Sequence, residues 1–328
     1  MNSIRWGILG TGKIAAGFAR GLEVLPDAEL TAVGSRTQAT AEAFGEQFNI
    51  PQRYGSYAEL VNDPQVDVVY VASPHSHHFE HTLLALQAGK PVLCEKAFTL
   101  TATQAALLAA EARARKLFLM EAMWTRYLPH IVELRRLLAE GAIGEPRMLN
   151  AGFCFNAPYD PLHRLFNPEL GGGALLDVGI YPVALSWMIF GAPETIHSSA
   201  YLGETGVDEQ AAIIFRYDQG RMALLSAGTR MVLPADPVIG GSAGMIRLHH
   251  PWWMPSALTL IRPGEPDRTW GPNHVGNGYN YQAAEVQRCL RAGLLESPLM
   301  PLDETVAIMR CLDTLRANWG VRYAADAE

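Results

Sequence analysis

A chain of 328 residues, 49% hydrophobic and 18% charged, is long enough for two substantial cores and too apolar to be intrinsically disordered. Its 26 Lys and Arg against 33 Asp and Glu leave a formal net charge of −7, with no basic run, so there is no global electrostatic reason to bind nucleic acid or an acidic membrane. Any anion site must be local. The four cysteines, Cys94, Cys154, Cys289 and Cys311, form no Cys-x-x-Cys pair, and a chain of this size needs no disulfide staples, so a reducing cytoplasm is the expected setting. The start, Met1-Asn2-Ser3-Ile4-Arg5-Trp6, enters a strand-like run without the charged and apolar regions of a signal peptide. Residues 174–192 are long enough to cross a membrane and carry only Asp177 as a charge. Pro182 and the preceding glycines fit a buried helix better.

From Ile4 to Leu9 the residues are mostly apolar, Gly10-Thr11-Gly12 follows, and residues 14–22 can form a helix: strand, glycine turn, helix. Residues 29–34 predict a second strand and 40–48 a helix. Residues 56–61 predict a short helix opening on Ser56 with Glu59 three residues on, a capping-box pattern. The continuous apolar run 66–72 predicts a strand covered on both faces. A helix over 78–88 ended by Gly89, a strand over 91–94, an alanine-rich helix over 101–115 and a strand over 117–120 complete the alternation. Regular alternation of this kind predicts a parallel, doubly wound α/β sheet.

The pattern changes near Trp124. After a helix around 129–140, short strand-like runs dominate, at 148–155, 196–202, 210–217, 222–227, 244–249 and 258–261. Most are separated by turn residues, as in Asp218-Gln219-Gly220, which favours antiparallel hairpins. Helices over 281–292 and 303–318 close the chain. The expected division is therefore a nucleotide-binding domain over 1–123 and an α+β domain over 124–328, with an open, mainly antiparallel sheet and helices on one face.

Gly10, Gly12 and Ala15 fill the G-x-G-x-x-G/A positions of a dinucleotide-binding, Rossmann-type turn. The glycines let backbone approach a pyrophosphate, and the following helix supplies free N–H groups and a favourable dipole. Gly10, Thr11, Gly12, Lys13 and Ile14 are thus candidate cofactor contacts. By contrast Gly171-Gly172-Gly173 and Gly240-Gly241 lie outside any βαβ unit and are not read as phosphate cradles. At the end of the second strand an NAD enzyme usually places Asp or Glu on the ribose hydroxyls; here stand Ser35-Arg36-Thr37. No carboxylate repels a 2′-phosphate, and Arg36 can bond to it and stack on adenine, so Ser35 and Arg36 predict NADP rather than NAD.

Open parallel sheets place ligands beyond the carboxyl ends of their strands, which puts Ser73, Pro74, His75 and His78 after one strand, and Glu95 and Lys96 after the next, toward the nicotinamide. The imidazoles of His75, His77, His78 and His81 raise the question of a metal, since His77 and His81 are spaced i, i+4. None is assigned, because hydride chemistry needs no metal and no HExxH motif or cysteine accompanies them.

These pieces together resemble the glucose–fructose oxidoreductase/inositol dehydrogenase (Gfo/Idh/MocA) family over nearly the whole chain: the glycine turn, the Ser73-Pro74 loop with His78, Glu95-Lys96, and residues 171–181 with Asp177 and Tyr181. Residues 120–129, Met-Glu-Ala-Met-Trp-Thr-Arg-Tyr-Leu-Pro, with Tyr181, resemble the branch that holds dimeric dihydrodiol dehydrogenase and NADP-dependent xylose dehydrogenase. Two positions depart from the family: Ala97 follows Lys96 where Pro is usual, and Tyr181 and Ala184 stand where many relatives have His and Asp. The resemblance implies that Tyr181 transfers the proton of the reacting oxygen, that Lys96 binds that oxygen and makes the phenol more acidic by its charge, and that Asp177 orients the lysine or a substrate hydroxyl. Phenols ordinarily titrate near pH 10, so neutral-pH work needs such a cation. Trp124, Arg126 and Phe153, with Trp252 and Trp253, are candidate walls of a pocket for a ring-shaped diol or sugar.

The reaction expected is hydride transfer between NADP and a sugar or trans-dihydrodiol type polyol. Alternatives are a reductase of another cyclic polyol or ketosugar, and a non-catalytic NADP-binding regulator, against which the presence of both Lys96 and Tyr181 argues. The family and the uncovered face of an open sheet predict a homodimer or dimer of dimers built through the second domain.

Overall fold

The computed structural model describes residues 3–234 and 236–327; Met1 and Asn2, where the first expected domain begins, lie outside them. The chain forms two compact units, Met1–Trp124 with Val275–Met309, and Thr125–His274 with Arg310–Glu328.

In the first unit the chain runs β1 (Ile4–Leu9), α1 (Lys13–Leu22), β2 (Ala28–Gly34), α2 (Gln38–Gln47), β3 (Gln52–Tyr54), α3 (Tyr57–Val61), β4 (Val68–Val71), α4 (His78–Gln87), β5 (Val92–Glu95), α5 (Ala102–Arg115) and β6 (Leu119–Ala122). The strands are all parallel in the order β3-β2-β1-β4-β5-β6. The order reverses between β1 and β4, which opens the crevice where such sheets bind nucleotides. Every residue of β4 and β5 is buried, which is why these strands read as continuous apolar runs. Hydroxyl caps start three helices: Thr37 accepts from Thr40 N–H, Ser56 from Glu59 N–H and Thr101 from Gln104 N–H. The run expected over 66–72 narrows to Val68–Val71, because Val66 N–H closes a turn onto the Asp63 carbonyl.

The second unit contains α6 (Pro129–Ala139), β7 (Pro146–Cys154), α7 (Ile180–Phe190) and the strands β8 (Thr195–Leu202), β9 (Asp208–Arg216), β10 (Met222–Gly228), β11 (Val238–Gly241), β12 (Met245–Leu248), β13 (Leu258–Ile261) and β14 (Arg268–Trp270). They form one eight-stranded sheet, β14-β13-β12-β11-β7-β10-β9-β8. The β7–β10 pair is parallel and the other pairs are antiparallel. Helix α7 packs on β7 and β10 and continues a π-helical turn at Leu175–Gly179. Residues Pro168–Phe190 are apolar and long enough to span a membrane, yet 83% of an 18-residue apolar window within that stretch is buried inside the fold, as expected of a core helix.

Helices α8 (Tyr279–Arg291) and α9 (Leu302–Trp319) follow. The division expected at 123/124 needs correction at its far end, because Val275–Met309 returns to the nucleotide-binding unit. The physical reason is local to α1. Gly17 and Gly21, one turn apart, leave a groove in which Tyr279 sits, a Cβ on Gly17 falling 3.1 Å from its ring and one on Gly21 2.9 Å from its Cβ. Asn277 Nδ2 donates to the Gly17 carbonyl at 2.8 Å, and Arg291 pairs with Asp27 at 2.7 Å.

Candidate functional site

The glycine turn has the geometry its chemistry needs. Gly10 has φ +108°, and a Cβ there would sit 3.0 Å from the Ala72 carbonyl oxygen, so β1 can end this close to the end of β4 only with glycine. A Cβ on Gly12 would meet nothing within 4 Å. Gly12 caps α1 with no side-chain hydrogen bond, so the first N–H groups of the helix stay available to an anion beyond the turn. Ala15, in the third position, is fully buried, the small residue that helix–sheet contact requires. Lys13 and Ile14 open α1, which begins one residue before the helix expected from Ile14.

Where β2 ends, Ser35 is buried and its hydroxyl lies 2.6 Å from Thr40 Oγ1 and 3.3 Å from Thr11 Oγ1. This hydroxyl chain ties the glycine turn to the start of α2 and leaves Arg36 exposed just beyond it. Residues 36–41, Arg-Thr-Gln-Ala-Thr-Ala, hold no carboxylate, so the donor set fits a cofactor with a phosphate on its adenosine ribose.

His78 lies between the loops after β4 and β5. It is fully buried, with Nδ1 2.8 Å from the Ala97 carbonyl and Nε2 2.8 Å from the Ser73 carbonyl. Burial pushes its pKa down to about 4, against the opposing pull of those two carbonyls. A neutral ring donates its one N–H to one of these carbonyls and only faces the other, so the ring sits between Ser73-Pro74 and the loop that carries Lys96 and is bonded to one of them. Glu95 is likewise buried and receives the Tyr70 hydroxyl at 2.5 Å. Tyr70 in turn stacks on Phe18 with centroids 3.8 Å apart. Lys96, half-buried, is joined to Ala97 by a cis peptide. His75 is buried in the turn after Pro74, its ring edge-on to His78. Trp124 stacks on Tyr279 at 4.4 Å and 15° and is buried within this unit.

His77, Glu80 and His81 bring their donor atoms within 4.8 Å of one another. Glu80 is a third donor that the spacing of the histidines alone did not show. Its Oε1 lies 2.8 Å from His77 Nδ1 and 3.2 Å from His81 Nε2, so the three groups already engage one another. Burial and the charge of Arg36 both favour neutral His81, whose pKa is lowered to about 4 mainly by burial.

In the second unit Tyr181 is buried in the first turn of α7, within an aromatic group. Its ring lies 5.4 Å from Phe153 and edge-on to Trp252 at 6.5 Å, and Trp253 stacks on Phe153 at 3.6 Å. Trp252 is fixed at both ends: its indole N–H donates to the Gly152 carbonyl, and its carbonyl faces His130 Nε2, each at 2.9 Å. Asp177 lies in the π-helical turn, an irregularity frequent at functional sites, and its Oδ1 receives Arg164 Nη1 at 2.8 Å. Arg164 was not expected from the sequence; a lone basic residue 13 positions before the carboxylate carries no pattern. Arg126 is buried and donates to the Ala184 carbonyl at 3.3 Å, at the position where many relatives have Asp.

The NAD-binding Rossmann fold model of the GFO/IDH/MocA oxidoreductase family matches residues 4–123, and that family's C-terminal domain model matches 131–247. Trans-1,2-dihydrobenzene-1,2-diol dehydrogenase from Xenopus laevis is 39% identical over 97% of this chain and 99% of its own. D-xylose 1-dehydrogenase (NADP(+)) from Hypocrea jecorina is 38% identical over 98% of this chain and 93% of its own. A 3-ketoreductase from Actinomadura kijaniata, solved with NADP and TDP-benzene, superposes with a TM-score of 0.83 at 27% identity over 96% of this chain and 98% of its own. With both halves matched and relatives well above 30% identity along almost its entire length, the chain belongs to the GFO/IDH/MocA family of oxidoreductases.

Proposed function

We propose that this protein is an NADP-dependent oxidoreductase that transfers a hydride between the nicotinamide and a CH–OH carbon of a sugar or trans-dihydrodiol type polyol. The observation that carries the reading is the full-length similarity to dihydrodiol dehydrogenase and to NADP-dependent xylose dehydrogenase. The open turn at Gly12 and the carboxylate-free end of β2 at Arg36 support it independently. Gly10, Thr11, Gly12 and the start of α1 hold the pyrophosphate, and Arg36 holds the 2′-phosphate. NADP, when bound, supplies the hydride acceptor or donor. Lys96 binds the reacting oxygen, Tyr181 moves its proton, and the Asp177 carboxylate, paired with Arg164, receives a substrate hydroxyl. Phe153, Trp252 and Trp253 around Tyr181 offer an apolar wall to the face of a ring. The Actinomadura ketoreductase has also been solved with one lysine replaced by alanine or glutamate and one tyrosine by phenylalanine, the residue types assigned here to Lys96 and Tyr181.

A panel of aldoses, cyclic polyols and trans-dihydrodiols with NADP, read by NADPH formation, tests the proposal. Tight NADP binding with no turnover on any member would transfer the chain to the regulator reading. The likeness to a ketoreductase complexed with TDP-benzene favours one second reading, reduction of a ketosugar, and NADPH oxidation with ketosugar substrates separates it from the first. Self-association through the second unit's sheet is part of the proposal, and so is a reducing cytoplasm, in keeping with four buried free thiols.

A further inference from the structure

The Asp208 carboxylate lies completely buried at the start of β9, in a part of the second unit that the proposed chemistry does not use. Its Oδ2 accepts the Leu175 N–H at 2.6 Å, the first residue of the π-helical turn that carries Asp177 and leads into Tyr181. Its Oδ1 occupies the space that a Cβ on Gly173 would need, and Gly173 has φ +119°, so this position accepts only glycine. The same loop carries a second tie. The Tyr323 hydroxyl donates to the Gly172 carbonyl at 2.5 Å, and the tyrosine is held by Arg316, whose guanidinium lies 4.8 Å from the ring centroid. Arg316 in turn forms ion pairs with Asp313 at 2.7 Å and Asp326 at 2.8 Å, and Asp326 also accepts the Tyr323 N–H at 2.7 Å.

A buried carboxylate is costly unless its bonds are needed, and burial here pushes the Asp208 pKa up to about 7. An apolar residue of similar size would cost the fold less. What the carboxylate supplies is an acceptor for a backbone N–H that is otherwise unmatched where the helix begins. We infer that Asp208, with Tyr323, is a positioning residue: it fixes the Gly171–Gly173 loop and the first turn of the helix, and so sets where Asp177 and Tyr181 stand. This rests on the roles proposed for Asp177 and Tyr181.

Asp208→Ala removes the acceptor, and Asp208→Asn restores an amide oxygen in the same place. Steady-state kinetics on the best substrate, NADP affinity and melting temperature are measured for both, with Tyr181→Phe as control. The expected result is a kcat loss of at least about tenfold for Asp208→Ala with NADP affinity unchanged, and recovery of most of the loss by Asp208→Asn. Should Asp208→Ala fail to fold, Tyr323→Phe, which cuts one bond to the same loop and keeps the ring, is expected to lower kcat severalfold. If Tyr181→Phe is impaired while Asp208→Ala, or Tyr323→Phe in its place, keeps kcat within about twofold of wild type, the positioning role is overturned. Equal damage by Asn and Ala also overturns it, since the lost feature would then be the charge and not the acceptor. A fully active Tyr181→Phe overturns the underlying reading instead.

Discussion

Arg36 stands exposed at the end of β2. A charged hydrogen bond contributes about 1.5–3 kcal/mol, so Arg36→Ala is expected to reduce the preference for NADP over NAD roughly ten- to a hundredfold, measured by titration with each cofactor. Equal affinities in the wild type would remove the assignment. Tyr181→Phe deletes one oxygen and almost no volume, leaving the contacts to Phe153 and Trp252 in place. The loss is expected in kcat, by about 10²–10⁴-fold, and Lys96→Met is expected to be at least as damaging. Because both serve one proton transfer, the double variant should lose less than the two effects combined. Near-normal kcat in Tyr181→Phe beside a dead Lys96→Met would hand proton transfer to Lys96. His78 gives a pH signature. Its folded-state pKa, about 4, lies below the 6.5 of an exposed imidazole, so its contribution is complete above about pH 6.5 and disappears as pH falls through 4. The melting temperature should drop across that window, and His78→Asn should flatten part of the drop, with His81 and His130, which burial also lowers to about 4, contributing to the rest. At this scale the residue types at the strand ends were legible in the chain, whereas their partners were not. Arg164 on Asp177, Tyr70 on Glu95 and the Ala97 carbonyl on His78 are selected by tertiary contact between residues 13 to 25 positions apart.

Among the elements, the strands with both faces buried declared themselves as apolar runs, and the capped helices by their hydroxyls. The three strands that escaped, β3, β11 and β14, are short, and two of them lie at sheet edges. An edge strand needs only one neighbour and no buried face, so Gln52-Arg53-Tyr54 and Arg268-Thr269-Trp270 carry no hydrophobic period. Val238–Gly241 is internal, but two of its four residues are glycine. The glycine turn is the element most exposed to a single change. Gly10→Ala would meet the Ala72 carbonyl in a backbone conformation that alanine resists, at an expected cost of roughly 1–3 kcal/mol. Thermal melting with and without NADP checks it; an unchanged melting temperature with unchanged NADP stabilisation would mean that β1 can end elsewhere.

For the whole molecule, the second unit's sheet leaves one face open. Ile214 on β9 lies opposite Leu224 on β10, and Met222 and Met245 share that face, each of the four 37–39% exposed. Contiguous exposed apolar side chains on a β-sheet favour self-association. Light scattering at micromolar concentration is expected to give twice the chain mass or more, and Leu224→Lys with Ile214→Lys is expected to shift it toward the monomer. A monomeric wild type would contradict the proposal. By itself the sequence determined the alternation of strand and helix, the cofactor turn, the absence of a carboxylate beside Arg36 and the change of pattern near Trp124, because periodicity, glycine and charge act within a few residues. Only the tertiary structure decided that Val275–Met309 rejoins the first unit, that Arg164 faces Asp177, and that Asp208 reaches the turn before Tyr181. These depend on which distant side chains close packing brings within hydrogen-bond range, and local pattern carries no record of that.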